Sequence, residues 1–213
     1  MRPVLISIIF ISFLWLIKFT ERLFNLNFVF LGVRPGEIKG LLGIFTAPLI
    51  HTDFEHLFSN TPPLFVSMSG ILYLYKKVSW KVFFSIYFLS GIGVWIFARP
   101  SYHIGASTLV YGFVSFIFFS GVFRKDKRSI ALALIVTLLY GGMVWGVLPV
   151  QPTISWEGHL SGAVTGIFLA FYYRKVDPPI EIVFDDEEDY LDNKNNEEWT
   201  DGLEGSEELK WKK

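Results

Sequence analysis

The sequence contains no cysteine. Disulfides, thiolate nucleophiles and sulfur-ligated metals are excluded together, while nothing about redox compartment follows. There is also no His-Glu-x-x-His run. His51 and His56 are five residues apart, so on a regular helix the two rings would point about 140° apart, which is wrong for two ligands of one metal. No metal and no cofactor is expected. Net charge is close to absent, at -1, and no nucleic-acid partner is expected. Polar residues are scarce in the inner halves of the apolar blocks, which argues against a transporter or channel.

Apolar surface is what the chain has in excess. Hydrophobic residues make up 52% of it and aromatic residues 18%, too many for an average soluble domain. They fall in blocks of roughly 17–22 residues, the length that crosses a hydrocarbon core as a helix. The blocks run approximately over 4–17, 55–75, 82–98, 107–123, 130–148 and 158–174. They lack the alternation of barrel strands, and within lipid only a helix or a closed barrel satisfies its own backbone. The expected fold is an all-α membrane protein, a bundle of six transmembrane helices spanning residues 1–176. Lys18, Glu21 and Arg22 follow the first block and no small-residue cleavage site appears, so a retained helix is expected there rather than a signal peptide. The half-apolar connection Thr20 to Ile50 is expected to lie in the interface as a long first loop.

The charge is distributed unevenly. Residues 177–213 hold 14 of the 20 acidic residues and 4 of the 19 basic ones. "DDEEDYLDNKNNEEW" is too charged to bury a core, so this tail is expected to be disordered, as a solubilising arm or a docking site for a basic partner. The loop after the second block carries Lys76, Lys77 and Lys81, and the loop after the fourth carries Arg124 to Arg128. Arg174 and Lys175 follow the sixth. All three fall on one side, which places both termini in the cytoplasm. Lys18, Arg22, Arg34 and Lys39 in the long first loop run against this pattern.

With that topology the second, fourth and sixth helices all begin at the outer face. All four histidines, His51, His56, His103 and His159, belong to this layer. Its sequences are "HTDFEHLFSN", "YHIGASTLVYGF" and "EGHLSGAVTG". Ionisable groups clustered at one depth in a membrane indicate a functional site. His56 and Asn60 are four apart and share a helix face, as do Ser107 and Tyr111. His159, Gly162 and Gly166 share another, almost without side-chain bulk, which lets a neighbouring helix approach closely. If that neighbour is the fourth helix, His159 reaches Ser107, and an imidazole can take a serine's proton. His56, Asn60 and the Ser107 N–H could then stabilise an oxyanion. Taken singly, Ser107 could equally be a helix cap, His159 and Tyr111 packing residues, Asn60 a helix bridge, and the glycines a contact motif.

Together these motifs make the chain resemble the rhomboid family of intramembrane serine proteases. The resemblance covers roughly residues 40–170. It rests on His56 with Asn60, preceded by His51; on "GAST", with Gly105 before the serine and Tyr111 after it; and on "GHLSGAVTG". It implies Ser107 as nucleophile and His159 as general base, without a required aspartate. It implies an oxyanion site from His56, Asn60 and the Ser107 amide, and a Tyr111 ring stacked on His159. The implied partners are transmembrane segments of membrane proteins, cleaved within the lipid bilayer. A rhomboid-like relative that only binds such segments is the alternative, and such relatives have usually lost the serine or the histidine. Two departures stand out. Thr108 follows the serine where many members have glycine, and a β-branched residue there is expected to narrow the groove or alter the helix approach. The stretch "GIFTAPLIH" lacks the family's common Trp-Arg pair. The absence of an Arg/Ser-rich leader and the six-helix form suggest a bacterial-type plasma membrane.

Overall fold

The computed structural model describes residues 3–139, 145–150 and 154–176. The acidic segment 177–213 lies outside the described residues, and so does the expectation about its order. Among the described residues the regular elements are helical, with one isolated antiparallel bridge between Val33 and His103. The α-helices are α1 Pro3–Leu23, α2 Gly43–Thr46, α3 Phe54–Leu74, α4 Ser79–Phe97, α5 Ser107–Arg124, α6 Lys127–Leu139 and α7 Trp156–Tyr172.

By length and composition α1, α4 and α5 are each sufficient to cross a membrane. α3 is as long as α1, at 21 residues, but its first turns carry the polar run from Glu55 to Thr61. Asp53 starts it, accepting the His56 N–H at 2.7 Å, which satisfies one of the orphan donors of a helix N-terminus.

Two elements differ from the sequence expectation. α1 continues to Leu23, past the charges that mark the end of its apolar block. Those charges are tolerated because Lys18 and Glu21 pair at 2.8 Å while 8% and 6% exposed. The block at 130–148 is not one α-helix. α6 is described to Leu139, and Trp145–Val147 is a 3-10 turn.

The connection between α1 and α3 is a packed structure. It contains 3-10 turns at Val29–Leu31, Ile38–Leu42 and Ala47–Leu49 around the single turn of α2. Val33, Ile44, Ala47 and Val94 form a small core of their own, with Phe88, Trp95 and Ala98 against it. The Trp95 Nε1–H donates to the Glu37 carbonyl at 2.9 Å, and the Gly36 N–H to the Trp95 carbonyl at 3.1 Å. The loop is therefore fastened to α4, and it forms a wall behind the start of α5.

The main core runs between α3, α4, α5 and α7, with Leu57, Leu64, Ile86, Leu109, Phe113, Phe116 and Ile117 almost fully buried. Its most intimate pair is α5 with α7. A methyl added at Gly162 would collide with the Thr108 carbonyl oxygen, and one at Gly166 with the Gly112 carbonyl oxygen. The backbones meet where the glycines stand, as in small-xxx-small packing. Ser161 adds a link from α7 to α4, its hydroxyl donating to the Ser90 carbonyl at 2.8 Å.

Candidate active site

The approach of α5 and α7 carries Ser107 to His159. Ser107 Oγ lies 2.9 Å from His159 Nε2. The cap of α5 is Ala106, and Ser107 is the first helical residue. Its hydroxyl is directed at the imidazole rather than at the helix backbone, so the reading of Ser107 as a cap does not hold. The other ring nitrogen, His159 Nδ1, lies 2.8 Å from the Gly146 carbonyl oxygen. A carbonyl only accepts, so Nδ1 carries the proton and Nε2 of the neutral ring accepts from Ser107. Tyr111 covers the ring face, with centroids 4.1 Å apart and planes at 10°. His159 is 8% exposed and Tyr111 9%, so a ring stacked on one side and hydrogen-bonded on two edges has one orientation.

Gly105 shapes the other side of the serine. Its φ is +109°, a conformation that a side chain disfavours. A methyl there would lie 2.9 Å from His56 Nε2 and 3.7 Å from Ser107 Oγ. His56 and Ser107 thus flank the same bare backbone atom. His56 Nδ1 lies 3.2 Å from Thr52 Oγ1, which lies 2.9 Å from Asp53 Oδ2. The single hydroxyl proton of Thr52 can serve only one of these at a time. A carboxylate only accepts, so that proton goes to Asp53, Thr52 Oγ1 accepts from His56 Nδ1–H, and Nε2 becomes a donor when the ring is protonated.

Asn60 sits one turn further along α3 and is 6% exposed. Its Nδ2 donates to the His56 carbonyl at 2.9 Å, which uses one of two amide protons. The Ser107 N–H, at the first position of α5, has no intrahelical acceptor by its place in the helix.

His51 has a different task from His56. It is 1% exposed, and its Nε2 accepts the Ala106 N–H at 3.2 Å. Accepting there requires a neutral ring. Burial first, and then the neighbouring His56, push its pKa down to about 3. The His51 ring meets His56 edge to face at 5.1 Å. The segment holding both is tied down by Lys18, whose Nζ donates to the His51 carbonyl at 3.0 Å and the Thr52 carbonyl at 2.8 Å. Lys18 counts by sequence as a charge against the topology; in the fold it is an internal strut.

Thr108 leaves the helix contact intact. Its carbonyl faces Gly162, while its Oγ1 stands 2.7 Å from where a methyl on Gly158 would lie. Its side chain lines a small cavity with Val33, Ile44, Ala47 and Ser155. Among the described residues no cluster of histidine and carboxylate groups could hold a metal ion.

A family model described as Rhomboid domain matches residues 39–176. The chain belongs to the rhomboid family. Uncharacterized proteins of Mycobacterium tuberculosis and Mycobacterium bovis are each 35% identical to it over 173 residues, covering 76% of this chain and 71% of theirs. An uncharacterized protein of Mycobacterium leprae is 30% identical over 173 residues, covering 76% of this chain and 68% of its own. No solved structure matches. Family and apolar helices together make this rhomboid an integral membrane protein.

Three groups near the rhomboid site escape a reading of sequence alone: the Gly146 carbonyl, the Lys18–Glu21 pair, and the hydrogen bond between Ser155 and His103. A backbone carbonyl has no sequence signature. Lys18 and Glu21 are legible only as an i, i+3 pair at a helix end. His103 and Ser155 each stand four residues before a member of the Ser107–His159 pair, a regularity present in the sequence.

Proposed function

We propose that this rhomboid is an intramembrane serine endopeptidase that cleaves transmembrane segments of other membrane proteins. The observation that carries the reading is the 2.9 Å contact of Ser107 Oγ with a His159 ring fixed by Gly146 and Tyr111. Ser107 Oγ attacks the scissile carbonyl and its proton passes to His159 Nε2. The Gly146 carbonyl steadies the imidazolium through Nδ1–H, the place an aspartate takes in a triad. The oxyanion is met by the Ser107 N–H and the free Asn60 amide proton, and by His56 when its Nε2 is protonated, aided by the positive end of α5. His159 then returns its proton to the leaving amine. Water, activated by the same ring, releases the acyl group.

In this reading α1, α3, α4, α5, α7 and the segment that begins with α6 cross the bilayer. The basic loops face the cytoplasm, as do both termini, in a bacterial-type plasma membrane. The site opens near the outer face, where a substrate helix can unwind into water.

The test is labelling by a fluorophosphonate probe of purified wild type and Ser107→Ala. Wild type is expected to label and Ser107→Ala to lose all labelling and all cleavage while remaining monodisperse in detergent. A variant that still cleaves would remove Ser107 from the role of nucleophile. Two folded, unlabelled proteins would favour a relative that binds transmembrane segments without cutting them.

A further inference from the structure

A second serine–histidine contact lies beside the first. His103 Nδ1 is 2.6 Å from Ser155 Oγ. The two residues are 52 apart in sequence, as are Ser107 and His159. Moving four residues forward on both stretches of chain leads from one pair to the other. His103 and Ser155 join the segments that lead into α5 and α7, and Ser107 and His159 join the helices themselves.

The hydrogen bonds around this outer pair have one consistent direction. His103 Nε2 lies 3.0 Å from the Arg99 carbonyl, so Nε2 carries the ring proton and Nδ1 accepts from the Ser155 hydroxyl. Ser155 Oγ in turn accepts the Gly158 N–H at 3.3 Å, capping α7. Its carbonyl accepts the His159 N–H at 3.3 Å. The ring is 4% exposed, and burial holds its pKa below the usual histidine value, in keeping with a neutral acceptor.

The two ends of this bond are anchored differently. His103 is fixed: its N–H and carbonyl pair with Val33 at 2.9 and 3.0 Å, and the Gly105 N–H donates to the Ala47 carbonyl at 2.9 Å. Residues 154–157 are held from that side. Arg99 Nη2 donates to the Ile154 carbonyl at 2.6 Å, and Arg99 Nε lies 3.4 Å from Glu157 Oε1. The first turn of α7 is thus gripped by the loop that precedes α5, and His159 is the last residue of that turn.

We propose that His103 and Ser155 are a positioning pair, whose hydrogen bond sets the height of α7 against α5 and so the reach of His159 Nε2 to Ser107 Oγ. The proposal rests on the dyad reading above for its effect on catalysis, though not for its effect on geometry. Ser155 is engaged as a cap and its histidine partner is enclosed, so the pair holds the dyad in register and performs no chemistry of its own.

The chain has four histidines, so the ring nitrogens of 15N-histidine-labelled protein give four assignable systems in detergent. His103→Phe removes the bond and leaves the Ser155 cap; Ser155→Ala removes both; Ser155→Thr keeps the hydroxyl. Both disruptive variants are expected to shift the His159 Nε2 resonance toward that of an acceptor without a donor, and Ser155→Thr to return it. Fluorophosphonate labelling and kcat are expected to fall about a hundredfold, as for a roughly 1 Å misplacement, with KM little changed. The double variant is expected to lose no more than Ser155→Ala alone. A His159 signal unmoved in both folded variants would overturn the proposal, and so would losses that multiply in the double variant. If wild type proves unreactive, the protease reading fails while the His159 resonance still decides the positioning claim. Should His103→Phe not fold, Ser155→Ala against Ser155→Thr makes the same comparison.

Discussion

Two serines begin two neighbouring helices here and do different work. Ser155 precedes α7 and gives its oxygen to a backbone N–H, the ordinary act of a cap. Ser107 stands one place further in, at the first helical position of α5, and its oxygen goes to an imidazole. Residue type and local sequence do not separate these cases; the partner brought by another helix does. The "GAST" motif made Ser107 legible because Gly105, Tyr111 and His159 came with it. The Gly146 carbonyl was not legible, because every residue has one and only the fold says where it points. Gly146 itself can be tested. A methyl on it would strike the Tyr111 hydroxyl and approach His159 Nδ1 to 3.1 Å. Gly146→Ala is expected to displace the carbonyl and reduce kcat by about a hundredfold, the lower end of what a general base contributes. KM should change little, because the Gly146 carbonyl faces the far side of the general base. Steady-state cleavage of a transmembrane substrate in detergent measures both, and an unchanged kcat would make the Gly146 contact incidental.

At the scale of elements, the decisive contact is between α5 and α7. The spacing of His159, Gly162 and Gly166 was readable as a bare helix face, and the structure sets that face against the backbone of α5. The sequence left Thr108 ambiguous, because a side chain's direction at a helix start depends on the helix packed beside it. With its carbonyl toward Gly162 and its side chain toward Gly158, a β-branched residue fits. The end of α1 was misjudged for a related reason. Hydropathy stops at a charge, whereas a helix continues when the charge finds a partner, as Lys18 finds Glu21. The α5–α7 contact predicts a strong response at Gly162. Gly162→Val would drive its side chain into the Thr108 carbonyl, which a helix cannot move without moving itself. A loss of at least about 1–3 kcal/mol, the usual range for overpacking, is expected. Thermal unfolding in detergent should show a lowered midpoint, and dyad labelling should fall with it. An unchanged midpoint would mean that the two helices are not in contact at that level.

Across the whole molecule, the site is held from three directions. α7 brings the base, α5 the serine, and the loop from α1 to α3 with the first turn of α3 brings His51 and His56. The last of these depends on a buried ion pair that a hydropathy scan counts as an interruption. Lys18 places its three donors on Glu21 and on the carbonyls of His51 and Thr52. Glu21 uses its second oxygen to accept the Phe28 N–H at 2.8 Å. The chain then passes from His51 to the Ala106 N–H at the start of α5, so the end of α1 is linked to the residue before the serine through one side chain and one ring. Removing only one charge is the severe change, since it strands the other in a site 6–8% exposed. Lys18→Met is expected to lower stability by about 3–5 kcal/mol, as when one partner of a buried pair is lost. Lys18→Met with Glu21→Met removes the stranded carboxylate and should recover most of that stability. It should not recover full turnover, because the His51 and Thr52 carbonyls still lack their donor and His51 and His56 are less firmly placed. Chemical denaturation in mixed micelles measures the first effect and substrate cleavage the second. A double variant as unstable as Lys18→Met would show that the carbonyl contacts, rather than the ion pair, carry the strut. Full turnover in the double variant would show that His51 and His56 keep their places without it.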